Sequence, residues 1–419
     1  MKSRVLKHAV CIPVLMGQLM GRLLIAPMVI VLGGGLAMAD PWAEVEVEQY
    51  GTATVNIDHF PQHAGYEPQD DLMGNVDLRP QMVVLGDEYE LVLEPRVVIP
   101  QRGAAYVDLK EAFINTSFGD VDVLIGNTTV FWGKTEAINL VDIINTKDYG
   151  RGLQTGEKQG MPMLRLMTTL GPGDAELYVM PHFVENRYAD ERSRHRTALP
   201  IKENTTQYSA GDDKNDPAMA VRYSGYIGDL DYGVSYFNGT TRDPGFFVNG
   251  FTALIPVYHA ITQTGLDAQW IRGDTSFKIE AIRRTNQLNA SAVAEDYNAA
   301  IIGVEHNLFG VFGGNADLTL FTEYARDTRQ ADAGSGFQDD VFAGGIISMN
   351  DVNDTQWRVI GSYDRDYSSK SITAEYERRI VDNINLDASF YAPSGMDDDA
   401  QFASFKRDMR LHLGLKYSW

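Results

Sequence analysis

Apolar and polar residues alternate along this chain in blocks of about ten, from Glu44 to the last residue, and turn residues bound each block. The last block is the clearest. Leu411, Leu413, Leu415, Tyr417 and Trp419 alternate with Arg410, His412, Gly414, Lys416 and Ser418, which gives a strand with one apolar face and one polar face. The connections alternate as well. Gly86-Asp87, Gly119-Asp120, Gly171 to Asp174, Gly228-Asp229, Gly273-Asp274, Gly313 to Asn315, Asn350 to Asp354 and Val381 to Asn383 read as short turns. Gly there permits positive φ, and Asp or Asn bonds its own backbone. Between them lie His59 to Asp71, Gly133 to Gly160, Glu185 to Asp216, Gly239 to Ile255, Asn286 to Asp296, Thr328 to Asp339 and Ala392 to Lys406, with two brief links at Pro100 to Ala104 and Arg365 to Ser369. Eight short turns and nine other connections predict 18 strands, with 16 as the alternative count.

Strict alternation of short and long connections predicts an all-β fold, a transmembrane antiparallel β-barrel. In hydrocarbon every backbone N–H and C=O needs an internal partner, and closure removes the edge strands. An even strand number puts both termini in the periplasm, with short turns there and long loops outside. A barrel this wide cannot be filled by its own side chains. Parity turns Ile372, Ala374 and Tyr376 to lipid and sends Glu375 and Glu377 inward, with Thr373 and Arg379. The same reasoning sends inward Glu90, Glu94 and Arg96; Arg222 and Ser224; Lys278, Glu280 and Arg284; Asp317, Thr319 and Glu323; and His412 and Lys416. Such mixed charge reads as a salt-bridged, solvated lumen, or as rings that set ion selectivity.

One connection departs from the pattern. In Val130 to Asp148, Ile138, Val141 and Ile144 recur at helical spacing, and Thr135 with Glu136 could start a short helix. A helix cannot sit in the wall, so this segment folds toward the lumen as a constriction carrying Trp132, Lys134, Glu136, Asp142 and Lys147, or caps the barrel on the solvent side. The longest loop holds Arg187, Arg192, Arg194 and Arg196 with His195 and Lys202. These would attract phosphate or carboxylate groups on lipopolysaccharide or a solute, or simply pair with Glu185, Asp190, Glu191 and Glu203. No cofactor is expected. Loosely bound Ca²⁺ is the one metal the Asp-rich stretches Asp212 to Asp216, Asp339-Asp340 and Asp397 to Asp399 suggest, and none has EF-hand spacing.

Composition adds a location. Residues 1–39 read as a secretory signal: Lys2, Arg4, Lys7 and Arg22, no acidic residue before Asp40, an apolar run from Leu23 to Leu36, and Ala37-Met38-Ala39 for cleavage. Residues 40–419 would form the barrel. Cys11, the single cysteine, falls in the signal, so disulfides, thiolate zinc sites and cysteine nucleophiles are excluded from the mature chain. Cleavage leaves 32 of 36 basic residues against 57 acidic ones, a net charge of −25 that argues against a nucleic-acid partner.

The closing strand, ending on Leu415, Tyr417 and Trp419, resembles the assembly signal that the barrel-assembly machinery reads in outer-membrane barrels. Segment 130–148, Gly156 to Met163, Pro181 to Arg187 and Ala343-Gly344-Gly345 resemble a largely uncharacterised family of proteobacterial outer-membrane barrels. The spacing Trp132-Gly133, Asn139, Val141-Asp142 is more loosely similar to DUF1302-like and alginate-export-like porin barrels. The resemblance implies fold and bacterial outer-membrane location, and no catalytic residue. The function expected is a porin-like channel for passive passage of small hydrophilic solutes. The alternative is a loop-plugged barrel serving as an adhesin or as the outer component of an export assembly. An enzyme is not expected, because His182, His195, His259 and His306 are scattered and no nucleophile motif appears.

Overall fold

The computed structural model describes residues 45–151, 156–209, 213–250, 252–399 and 401–419. The proposed signal, residues 1–39, lies outside them. A single 18-stranded sheet runs from Glu46–His59 to Arg410–Ser418. Each strand pairs antiparallel with its predecessor in the sheet, and the last pairs with the first, from Thr52 opposite Ser418 to His59 opposite Leu411. The sheet is therefore a closed meander with no free edge.

The eight connections read as tight turns all lie at one end, and brief links at 101–105, 289–293 and 365–369 share the other end with the long loops. The tight turns occupy 86–88, 119–120, 171–172, 228–229, 273–274, 312–315, 349–355 and 382–383, where the turn chemistry puts them. Gly119, Gly171, Gly228 and Gly273 hold φ between 58° and 63°, as the first central residue of a two-residue hairpin turn requires. The longer connections gather at the opposite end.

Outside, the wall is apolar. Ile302 and Val304, Trp357 and Val359, and Leu411, Leu413, Leu415 and Tyr417 are exposed there. Neighbouring aromatic rings meet on this surface, with Trp270 stacked on Phe277 at 5.6 Å and Trp357 against Tyr376 at 4.4 Å. Such a belt suits hydrocarbon with interfacial aromatic girdles.

Inside, the structure corrects one expectation. Segment 130–148 does fold into the lumen, but it contains no helix; among the described residues helical structure is limited to three single 3₁₀ turns. The physical reason is that the backbone N–H groups a helix would turn onto its own carbonyls are taken by carboxylates of the wall.

The seam fixes a further requirement. Gly51 and Trp419 exchange backbone hydrogen bonds of 3.2 and 3.1 Å. A Cβ on Gly51 would lie 2.5 Å from the Trp419 ring, 2.7 Å from the Arg79 carbonyl oxygen and 2.9 Å from Pro80 Cα. Gly51→Val should therefore obstruct closure, seen as loss of the compact, heat-modifiable band on unheated SDS gels. Undiminished compact band would contradict this account of the seam.

Candidate functional site

The inward segment is held first by two wall carboxylates. Glu280 is fully buried, and Oε1 accepts from the Lys134 N–H at 2.6 Å, the Thr135 N–H at 3.1 Å and the Thr135 hydroxyl at 2.8 Å. Its other oxygen accepts from the N–H groups of Leu140 at 2.6 Å and Val141 at 3.3 Å. Glu323 accepts from the N–H groups of Glu136 and Ala137 at 2.7 and 2.8 Å. Side chains reinforce the grip: Glu136 pairs with Lys278 at 3.1 Å and Arg358 at 3.7 Å, and Lys134 with Asp231 at 2.6 Å.

The middle of the segment is apolar. Leu140, Val141, Ile143 and Ile144 pack against inward-facing Met163, Tyr178, Phe237, Ile261, Ile282 and Ile301 of the wall. Parity predicts charges of both signs along the inner wall and leaves these apolar positions out. Strand Ala294–Val311 shows why that was incomplete, since Ile301 is buried inside while Ile302 and Val304 meet the outside. The unbroken apolar run Ala299 to Ile302 was the available signal. Asn145 ties the ends of this stretch, accepting from Val130 N–H at 2.8 Å and donating to the carbonyls of Thr128 and Gln159 at 2.9 Å. Arg242, whose pKa burial pushes down to about 9, donates to the Ile144 carbonyl through two nitrogens at 3.0 and 2.8 Å.

The connection then reaches the opposite arc. Lys147–Tyr149 pairs with Glu157–Lys158 and Arg187–Tyr188 in a small sheet of its own. Asp148 and Glu157 meet Arg96 at 3.0 and 3.2 Å, Arg79 reaches Glu157 at 2.7 Å, and Lys110 also pairs with Glu157. Residues 129–149, with 157–160, thus form a beam across the barrel. Of the other constriction residues, Asp142 pairs with Lys158 at 2.6 Å, the Lys147 N–H donates to Asn186, and Trp132 is buried beside Tyr178.

Most wall charges placed inward by parity are paired. Arg96 also binds Asp77 at 2.8 Å, Arg222 holds Asp267 through two bonds of 2.7 and 2.9 Å, and Lys278 also meets Glu305 at 2.7 Å. Arg284 binds Gln263 at 2.9 and 2.6 Å and Asp243 at 2.8 Å. Glu94 lies opposite Glu111. Glu375 is 3.9 Å from Arg358, and Glu377 is opposite Gln356 and Asp387. On this last arc His412 bridges Asp58 and Asp387, both at 2.8 Å.

The basic cluster sits in a lid at the long-loop end. Arg194 is fully buried, with Asp71 at 2.6 Å, Asp408 at 2.8 Å and the carbonyls of Gln62 and Arg407. Arg192 pairs with Asp70 at 2.7 Å, Arg196 donates to the carbonyls of Glu191, Thr197, Ala198 and Glu67, and Arg187 lies 3.9 Å over the Tyr106 ring. These cations therefore join loops 60–71, 181–217 and 395–409, and their acidic partners come mainly from other loops. Among the described residues no group of three or more His, Asp or Glu is arranged to hold a metal ion. Asp339 pairs with Arg326 and Arg365, and Asp399 accepts from Ser369. His182, His195, His259 and His306 have separate neighbours: Asn215, Asp58, the Leu288 N–H and Thr275.

The fold is that of the bacterial outer-membrane barrels. Among solved structures, the chain is similar to Wzi, an outer-membrane protein involved in group 1 capsule assembly in Escherichia coli and described as a carbohydrate-binding β-barrel. The TM-score is 0.54 at 12% identity, over 88% of this chain and 84% of that one. A mutant of the Rh. blastica porin aligns at TM-score 0.43 and 11% identity, over 89% of this chain and 100% of that one. No protein-family model matches the sequence, and no curated protein matches it. The looser resemblance to DUF1302-like and alginate-export-like barrels rests on the residues quoted for it.

Burial in the lid pushes the Asp408 carboxyl up to about 6, against the pull of Arg194. The folded state thus holds this proton more tightly than the unfolded chain. Its contribution is complete below the ordinary carboxylate range and is lost as pH rises through about 6. Between pH 5 and 7.5 that loss amounts to about 1 kcal/mol. Asp408→Asn removes the titration, so its melting temperature should fall less over this interval than that of the parent. Equal falls would show that Asp408 does not carry the effect.

Proposed function

We propose that this chain is an outer-membrane channel of porin type, with its termini and short turns in the periplasm, passing small hydrophilic solutes. The observation that carries this reading is the beam across the lumen, fixed by Glu280 and Glu323 at one wall and by Arg79, Arg96 and Lys110 at the other. A segment held in this way narrows a wide barrel to a defined passage. The side that it leaves is the arc carrying Glu375, Glu377 and Asp387, next to His412, which Arg151 of the same connection covers at 3.5 Å. Lipid and lipopolysaccharide around the wall, and the barrel-assembly machinery during biogenesis, are its other proposed partners. His195 and His412 share Asp58, whereas His182, His259 and His306 stand apart from one another, and that scatter favours a non-enzymatic role.

A second reading, a plugged barrel acting through its loops, draws on one observation: the lid is anchored by a fully buried Arg194. Planar-bilayer recording of the refolded protein decides between them. Stable open steps are expected, and a correctly folded barrel that stays silent would favour the plugged form. In Glu280→Ala four backbone N–H groups lose their acceptor, at about 1–3 kcal/mol for each group left unpaired, while the Thr135 hydroxyl keeps the Ile138 carbonyl. With Glu323→Ala added, the segment should leave its seat and conductance should rise severalfold. Unchanged conductance would mean that the segment does not set the constriction.

A further inference from the structure

Beneath the first residues of the beam, toward the short-turn end, lies a cavity of about 530 Å³, a size typical of small-ligand sites. We infer that it is a binding site for a neutral saccharide, a substrate class that refines the channel reading and rests on the lumen being open to water at this end.

Two aromatic rings in its lining are bare: Phe131 is 63% exposed and Tyr226 is 72% exposed. Exposed rings on the outer wall meet lipid, but these two face the lumen, where water is the only solvent. The C–H face of a sugar ring covers an aromatic face while leaving its hydroxyls free to bond at the edges. Lys158 Nζ lies 4.7 Å over the Phe131 ring and so occupies one face of it.

The surrounding charges decide against an ion. Lys134, Arg165 and Arg222 are matched in number by Asp174, Glu176 and Asp231. Lys134 is engaged by Asp231 at 2.6 Å, and Arg222 by Asp267 outside the lining. The Tyr178 hydroxyl donates to Glu176. What remains is one cation, Arg165, with two carboxylates, Asp174 and Glu176, so the lining offers both donors and acceptors. Hydroxyls, which both donate and accept, fit it better than a phosphate or an ammonium group. The floor is fixed in advance, with buried Trp132 edge-on to Tyr178 at 5.6 Å and under the Arg222 guanidinium at 5.2 Å. Preorganisation of this kind lowers the ordering cost of binding.

The test uses the refolded full barrel in detergent micelles, titrated with maltotriose and with cellotriose by calorimetry and tryptophan fluorescence. Citrate and spermine serve as charged controls, and heat-modifiable migration verifies the fold of each variant. Saturable binding of at least one trisaccharide is expected, weakened about tenfold by Phe131→Ala and by Tyr226→Ala. Absence of sugar binding, preference for citrate or spermine, or folded variants that bind like the parent would each overturn the inference. Sugar binding in a barrel silent in bilayers would overturn the channel reading alone. Open channels without sugar binding would overturn the saccharide site alone.

Discussion

The interior depends on one carboxylate. A barrel of 18 strands is too wide for its inward side chains to meet, so its centre must be water or borrowed chain. Here it is borrowed chain, and chain brought into the lumen arrives with backbone donors that need partners. Glu280 supplies acceptors to five donors at once, a number that one turn of helix could not satisfy for its own first residues. Hydrogen bonds to an ionised group are about twice as strong as neutral ones. That strength lets an irregular segment replace a helix inside the wall, and lets Leu140 through Ile144 be buried there.

The wall therefore serves two environments. Outside, alternation is strict, because each outward residue meets hydrocarbon and each inward one does not. Inside, the requirement changes around the ring. Where the beam's apolar stretch leans on the wall, the inner residues are Phe237, Ile282 and Ile301; where the beam's charged end lands, they are Arg79, Arg96 and Lys110. The lid repeats the arrangement at the long-loop end with the signs exchanged. A buried guanidinium, Arg194, gathers carboxylates and carbonyls from two other loops. Removing either partner of such a pair leaves an uncompensated buried charge, which is why both devices act as pins.

How much of this was legible follows from range. Turn chemistry is local, and Gly228-Asp229 or Gly273-Asp274 announce their hairpins without help from the rest of the chain. The strand count and the inward direction of Glu280 and Glu323 followed from that. The spacing of Ile138, Val141 and Ile144 predicts a short helix, and the segment contains none, because helical period is not proof of helix. Leu140 and Ile143 are buried as well, so the stretch is covered on more than one side. What remained hidden was pairing across the sequence. Arg194 and Asp408 are 214 positions apart, and Lys134 reaches Glu280 across 146. No periodicity encodes such contacts, so the sequence offered the basic loop only partners of its own, Glu185, Asp190, Glu191 and Glu203, where Arg192 takes Asp70 and Arg194 takes Asp71 and Asp408.

That engagement bears on selectivity. A ring of bare charges filters ions by direct attraction, but Arg222, Lys278 and Arg284 already hold Asp267, Glu305 and Asp243 at 2.7–2.8 Å. A passing ion would have to compete with partners that are held in place by the sheet. In the proposed channel, discrimination by fixed pairs would work instead through shape and through hydrogen bonds offered in both directions, which would favour uncharged polar solutes over small ions. The strongly negative sequence does not alter this. Much of its charge is consumed in pairs within the lumen and lid, and charges farther than the Debye length of about 8 Å from the passage are screened by salt. Sign therefore matters most on the arc of Glu375, Glu377 and Asp387, where Glu375 is 3.9 Å from Arg358 and Asp387 meets His412 at 2.8 Å.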